Sequence, residues 1–116
     1  MRKGENENGT FRKEKDLQAH IRLEFNHLLL WRNNRGVADY GGIKVVYGLA
    51  PGASDLIGMV RNDGRFVAIE TKSERDDLSD AQEDYIAMVN ANGGIGIAAW
   101  RVSDVANRLR DEGVGV

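Results

Sequence analysis

The sequence predicts an α/β domain in which helices flank a central mixed β-sheet, with elements in the order α-β-β-β-β-α-β-α. Two apolar segments, residues 56–60 and 66–69, flank Asn62-Asp63-Gly64, and an Asp-Gly pair between such segments is typical of a β-hairpin. A β-α-β pattern follows near the C-terminus, which implies two parallel strands joined by a crossover helix. Together these patterns give a sheet with both antiparallel and parallel pairs.

The first predicted helix covers residues 11–29. Leu17, Ile21, Phe25 and Leu28 recur at helical spacing and form its apolar stripe. Glu14 lies beside this stripe, and a carboxylate that faces the interior needs a partner, for which a metal ion is one candidate. The alternative is that it sits at the rim of the stripe and reaches water.

The predicted strands cover residues 29–33, 43–47, 55–60 and 66–71, and residues 34–42 are predicted to form a loop or turn. Ser79 begins the second helix, because Ser79-Asp80-Ala81-Gln82 matches a capping box with Gln82 at the third helical position. Gly93-Gly94 ends that helix. The last strand covers residues 95–100, and Ser103 is predicted to cap a short helix that ends near Arg110.

Composition limits the class of protein. The chain has 116 residues, no cysteine and a net charge of −2, which predicts one domain over residues 11–116 after a polar, flexible tail at residues 1–10. No segment is apolar enough to span a membrane, so a cytoplasmic protein is expected. The acidic balance weakens a nucleic-acid function, although residues 1–35 carry a net charge of +3.

The strongest chemical signal is Asp55 together with Glu70-Thr71-Lys72. If residues 55–60 and 66–71 pair as a hairpin, Asp55 and Glu70 come close. Two carboxylates suit Mg²⁺, and the Thr71 carbonyl adds a third oxygen. Lys72 faces the same side of the strand as Glu70, so it is placed to act on a water molecule or on a phosphate.

This signal has a plain alternative, since an acidic residue two positions before a lysine is also common at the solvated edge of a sheet. Gln82 has a sufficient structural role in the capping box, and a catalytic role beside Glu70 is equally open. A polar, basic cluster at the end of a predicted strand is expected to contact nucleic acid, and it consists of Arg32, Asn33, Asn34 and Arg35. Gln18 of the first helix is also predicted to contact nucleic acid.

The order of these motifs resembles the PD-(D/E)XK nuclease superfamily, and within it the VRR-NUC (virus-type replication and repair nuclease) family. The resemblance spans about residues 12–110. It includes Glu14 and Gln18 at a spacing of four, the acidic Asp55, the Glu70-Thr71-Lys72 element and the Leu78-Ser79 helix start. Asp16 is an alternative to Glu14 as the acid of the first helix. The chain departs from the family pattern at Ser54, where proline is usual.

The resemblance implies a restriction-endonuclease-like core and hydrolysis of DNA with Mg²⁺ or Mn²⁺ that leaves 5′-phosphate ends. Asp55, Glu70, Thr71 and Glu14 would then hold the metal, and Asp55, Glu70, Lys72 and Gln82 would be catalytic. Small stand-alone members resemble phage-encoded homodimers that cut branched DNA such as Holliday junctions, in the bacterial cytosol. The alternatives are a sequence-specific or nicking endonuclease of the same fold, or a DNA-binding protein without catalysis.

Overall fold

A computed structural model describes residues 1–34, 36–47 and 52–115. Over this part of the chain three helices and six strands follow the order α-β-β-β-β-β-α-β-α, which confirms the predicted α/β class. In chain order they are α1 (Glu14–Glu24), β1 (Leu28–Arg32), β2 (Gly36–Tyr40), β3 (Ile43–Tyr47), β4 (Leu56–Val60), β5 (Phe66–Thr71), α2 (Asp80–Ala91), β6 (Ile95–Ala99) and α3 (Val102–Asp111).

Four strands form the central sheet in the order β1-β4-β5-β6. Strands β4 and β5 pair as the predicted antiparallel hairpin, with Leu56 opposite Ile69. Strand β6 lies parallel to β5, so the predicted crossover through α2 is confirmed. Asp55 directly precedes Leu56 and Glu70 directly follows Ile69, so the register of the hairpin places both acidic residues at the same end of the sheet.

The two faces of the sheet are covered unequally. Helices α1 and α3 pack on one face, where the larger core cluster includes Leu17, Ile21, Leu56, Ile69, Val105 and Leu109. Helix α2 packs against β5 and β6 on the other face, above a small cluster of Ile57, Ala68 and Val89. The polar groups at the end of β5 therefore meet α1 on one side and α2 on the other.

Three sequence-based expectations about the elements were wrong. Helix α1 is shorter than the predicted 11–29, because Phe25 leaves helical geometry with φ −107° and ψ 85°, although Phe25 and Leu28 are still buried. Residues 36–40 form β2, which pairs with β3 as a separate two-stranded sheet. Ser103 lies inside α3, and Asp104 instead accepts hydrogen bonds from the backbone N–H groups of Trp100 and Arg101.

The first ten residues fold back onto the domain, which departs from the flexible tail that the composition predicts. Arg2 forms a two-pronged ion pair with Glu24 of α1. Thr10 is buried and forms a β-bridge with Arg101, and the backbone carbonyl of Asn8 accepts a hydrogen bond from Arg101 Nε. Among the described residues, no helix is long and apolar enough to cross a membrane.

Candidate active site

Asp55 and Glu70 line one cleft of about 650 Å³ at the end of the β4–β5 hairpin. Gln82, from the first turn of α2, also lines it. The cleft therefore contains two of the predicted metal-binding residues and one residue that the sequence left between a structural and a catalytic role. Their proximity follows from the hairpin register, which carries the two strand ends to the same place.

Glu70 is almost completely buried, with 2% of its surface exposed. Burial and the neighbouring Asp55 carboxylate raise the pKa of Glu70 to about 9, while the charge of Lys72 acts in the opposite direction. A buried carboxylate beside a second carboxylate is costly to ionise unless a cation compensates it. Glu70 thus has the environment of a metal ligand, since a bound cation favours its ionised form.

Asp55 is fixed by the residue that follows Glu70. The Asp55 Oδ2 atom accepts two hydrogen bonds from Thr71, one from the backbone N–H at 3.1 Å and one from the hydroxyl at 2.9 Å. Thr71 is completely buried and in turn accepts a hydrogen bond from Gln18 Nε2 at 2.9 Å. The Thr71 side chain thus contributes to the site on the face of β5 opposite to Glu70, as strand alternation requires.

Gln82 performs both of the roles that the sequence left open. Its Oε1 atom accepts a hydrogen bond from the Ser79 backbone N–H at 2.9 Å, while the Ser79 hydroxyl accepts one from the Gln82 N–H, so the predicted capping box is confirmed. Its Nε2 atom donates to Glu70 Oε1 at 2.9 Å. The cap orients the amide so that its NH₂ group faces the carboxylate.

Lys72 is half-buried and belongs to no ion pair among the described side chains. Its charge acts to lower the pKa of both Glu14 and Glu70. Lys72 is not among the described residues that line the cleft, so its predicted orientation toward the same side as Glu70 stays a prediction.

The two acidic residues of α1, Glu14 and Asp16, have different surroundings. Burial raises the pKa of Glu14, and the Asp55 carboxylate raises it further, so Glu14 interacts electrostatically with one of the cleft carboxylates. Asp16 instead lies against Gly4 of the N-terminal segment, within 2.5 Å of where a β-carbon on that glycine would be. The contact of Asp16 with Gly4 and the electrostatic coupling of Glu14 to Asp55 favour Glu14 as the acid associated with the cleft.

No three Asp, Glu or His groups in the described ranges lie close enough to share one metal ion. Glu14 is therefore not placed as a third direct ligand beside Asp55 and Glu70. Mg²⁺ is commonly held by one or two protein carboxylates and keeps several waters. The donor set of Asp55 and Glu70 fits such an ion, and Glu14 is within electrostatic reach of it.

The predicted nucleic-acid contacts divide into two groups. Arg32 and Asn34 are exposed at the rim of the cleft. Asn33 has a structural role, because its backbone N–H donates to the Asp55 carbonyl at 2.8 Å and its side-chain amide donates to the Ser54 carbonyl at 3.2 Å. Arg35 lies outside the described residues, so its predicted contact with DNA stays a prediction.

Ser54, where the family pattern has proline, is completely buried. Its hydroxyl has no hydrogen-bond partner within the described part of the chain. The position thus has the environment of an apolar side chain, which agrees with the usual proline. The backbone around it is fixed from both sides, by Asn33 and by the approach of Gly52 to the Ala81 carbonyl of α2.

The mixed sheet, its covering helices and the acidic cleft define a nuclease-like α/β fold. The VRR-NUC domain model matches residues 18–104, about three quarters of the chain, and the protein belongs to this family. It is therefore a nuclease domain that acts on DNA, of a family that typically uses divalent metal ions. The match includes Gln18, Asp55, Glu70, Thr71, Lys72 and Gln82, whereas Glu14 lies just outside it. No match to the chain was found among curated proteins.

Proposed function

We propose that this protein is a Mg²⁺- or Mn²⁺-dependent DNA endonuclease whose metal-binding residues are Asp55 and Glu70. The observation that carries the proposal is the pairing of a buried carboxylate with a second carboxylate in an open cleft. Each carboxylate has one oxygen engaged by a neutral donor, Thr71 for Asp55 and Gln82 for Glu70. A side-chain hydrogen bond between Asp55 and Glu70 also raises the pKa of Glu70, so the two carboxyl groups face each other and a divalent cation that takes the place of the proton between them could bind both.

When bound, such an ion activates a water molecule and stabilises the negative charge that develops on the phosphate. The chain's own groups supply the rest. The positive charge of Lys72 interacts with Glu70, and we expect Lys72 to orient the attacking water and to neutralise charge on the phosphate in the transition state. Arg32 and Asn34 at the rim bind phosphate oxygens of the DNA backbone. The Thr71 carbonyl is a further candidate metal ligand, and Glu14 would stabilise a bound cation electrostatically.

The test is a cleavage assay with the purified protein and end-labelled DNA as linear duplex, nicked duplex, flap and four-way junction. We expect cutting with Mg²⁺ or Mn²⁺ and none with EDTA, with products that carry 5′-phosphates. Binding without cutting in every metal would support the non-catalytic alternative. Cutting of linear duplex at one sequence, or nicking alone, would support the other alternative activities.

We also propose that the protein is a homodimer that prefers branched DNA. Support comes from the β2–β3 hairpin, in which Tyr40 and Ile43 are opposite each other and 67% and 68% exposed. A second exposed apolar area covers the face of β1 and β4 that α2 leaves open, with Leu29, Trp31 and Met59. Exposed apolar patches mark interaction surfaces in soluble proteins.

A two-fold dimer presents two clefts, which suits the two-fold symmetry of a four-way junction.

Preference for branched DNA also agrees with the exposed Arg32 and Asn34 at the rim of the cleft, because contacts to phosphate oxygens carry no information on base sequence. Specificity would then depend on the shape and deformability of the DNA. Such an enzyme would act on replication, recombination or repair intermediates in the bacterial cytosol. The same four substrates test this point, because a junction preference appears as faster cutting of the junction at equal protein concentration.

A further inference from the structure

We infer that Gln18 is a positioning residue that sets the orientation of Asp55 through the Thr71 hydroxyl and makes no contact with DNA. The inference deepens the proposed function, because it concerns the carboxylate to which that function assigns the metal ion. It also replaces the expectation that Gln18 binds nucleic acid. Its basis is a continuous series of hydrogen bonds from Gln18 of α1 through Thr71 to Asp55 at the cleft.

The direction of each hydrogen bond in this chain is fixed by the number of protons. An ionised carboxylate only accepts, so the Thr71 hydroxyl must donate its single proton to Asp55 Oδ2, at 2.9 Å. The hydroxyl oxygen is then an acceptor toward Gln18. Gln18 must therefore present its NH₂ group to Thr71, and Nε2 lies 2.9 Å from Thr71 Oγ1.

These hydrogen bonds distinguish the two carboxylate oxygens of Asp55. Oδ2 is occupied by two donors from Thr71, the hydroxyl and the backbone N–H at 3.1 Å. Rotation of a carboxylate about its terminal torsion is otherwise loosely restrained. Fixing Oδ2 therefore reserves Oδ1 for a cation in the cleft. Because Thr71 is completely buried, water does not replace Gln18 as its donor without a change in packing.

A parallel arrangement holds the other carboxylate. Gln82 Nε2 donates to Glu70 Oε1, and the capping box of α2 fixes the orientation of that amide. One glutamine from α1 and one from α2 thus hold the two carboxylates from opposite faces of the sheet. The difference is that Gln82 acts directly, while Gln18 acts through a hydroxyl. Residues that orient metal ligands in this way commonly affect metal affinity by about 10- to 100-fold.

The experiment measures Mn²⁺ binding by titration calorimetry on the DNA-free protein. Gln18→Met removes the amide and keeps the length of the side chain, and Thr71→Val removes the hydroxyl and keeps its shape. Thr71→Ser is the matched control, since it keeps the hydroxyl. Affinity for a four-way junction in EDTA is measured for the same proteins, and thermal unfolding verifies that each is folded.

We expect Gln18→Met and Thr71→Val each to weaken Mn²⁺ binding by about tenfold or more, with Thr71→Ser close to wild type. The double variant with Gln18→Met and Thr71→Val should bind Mn²⁺ no more weakly than Thr71→Val alone, because Thr71→Val already removes the hydroxyl through which Gln18 acts. DNA affinity in EDTA should be unchanged for Gln18→Met. Should Thr71→Val fail to fold, Gln18→Met with its two binding measurements decides the question.

Wild-type Mn²⁺ affinity in Gln18→Met, or a loss of DNA affinity in EDTA, would overturn the inference and return Gln18 to the DNA-binding set. Failure of the proposed function has a different signature. In that case wild-type protein would bind no Mn²⁺, or would bind it equally well after Asp55→Asn.

Discussion

The cleft and the β2–β3 hairpin depart from the usual distribution of side chains in opposite ways. The cleft buries polar groups, since Glu70 and Thr71 are 2% and 0% exposed. The hairpin exposes apolar groups, since Tyr40 and Ile43 are more than half exposed. In the cleft, hydrogen bonds from three separate elements fix the polar atoms, whereas the hairpin forms a sheet of its own beside the central one.

The contrast agrees with the two functions that we propose for this domain, catalysis and assembly. Chemistry requires atoms held in fixed positions, and the buried hydrogen-bonded network provides them. Recognition requires accessible surface, which is the role that we propose for the hairpin. Substitutions in the cleft should therefore affect catalysis and leave assembly intact, while substitutions on the hairpin should do the reverse.

The largest effect is expected at the carboxylates. Asp55→Asn or Glu70→Gln keeps the shape of the side chain and removes the charge that a divalent cation requires, so either change should abolish cleavage. DNA binding in EDTA and the molecular mass in solution should remain those of the wild type. Unaltered cleavage by Asp55→Asn would show that the cleft has been assigned the wrong chemistry.

Lys72 is expected to have the next largest effect. Lys72→Ala removes the positive charge that interacts with Glu70 and should lower the single-turnover cleavage rate by about 10²-fold or more. The measurement is made at saturating protein, so that affinity does not limit the rate. A loss confined to DNA affinity would make Lys72 a phosphate anchor with no part in the chemical step.

Substitutions on the apolar face of the β2–β3 hairpin are expected to weaken the proposed dimer. Ile43→Lys places a charge on the apolar face that it shares with Tyr40 and should raise the dimer dissociation constant by about tenfold or more, as expected for a central interface contact. Val37→Lys is the matched control, because strand alternation puts Val37 on the other face of the same hairpin. Sedimentation or light scattering gives the mass, and a monomeric wild-type protein, or equal effects of both variants, would refute the proposed interface.

The smallest effect is expected at α1. Glu14→Ala should raise the Mg²⁺ concentration for half-maximal cleavage several-fold, because Glu14 lies near Asp55 without sharing a direct metal site with it. Asp16→Ala should leave that concentration unchanged, since Asp16 lies against Gly4. The opposite result from this pair would assign the acid of the first helix to Asp16.

Local patterns predicted most of the central sheet. The Asp63-Gly64 turn signalled the β4–β5 hairpin, and the Ser79–Gln82 capping box placed the start of α2. Strand β2 was missed because Gly36 and Asp39 are poor strand formers and its apolar pattern is weak. Its structure depends on pairing with β3, where Asp39 lies opposite Lys44.

Only part of the hydrogen-bond network around Asp55 and Glu70 could be predicted from the sequence. The pairing of Asp55 with Glu70 follows from a short hairpin, so local reasoning reached it. Gln18 and Thr71 are 53 positions apart, and no local pattern shows that an amide on α1 meets a hydroxyl on β5. The second role of Gln82 was hidden for a different reason, because its capping role already explained its presence.

The most direct test of the account is to locate the metal ion. Crystals of the protein grown or soaked with Mn²⁺, and measured for anomalous scattering, should show a peak bonded to Asp55 Oδ1 and to the Glu70 oxygen that Gln82 does not engage. The peak should be lost in Asp55→Asn. A protein that cuts DNA with Mn²⁺ while its anomalous peak lies elsewhere, with none between Asp55 and Glu70, would contradict the central claim.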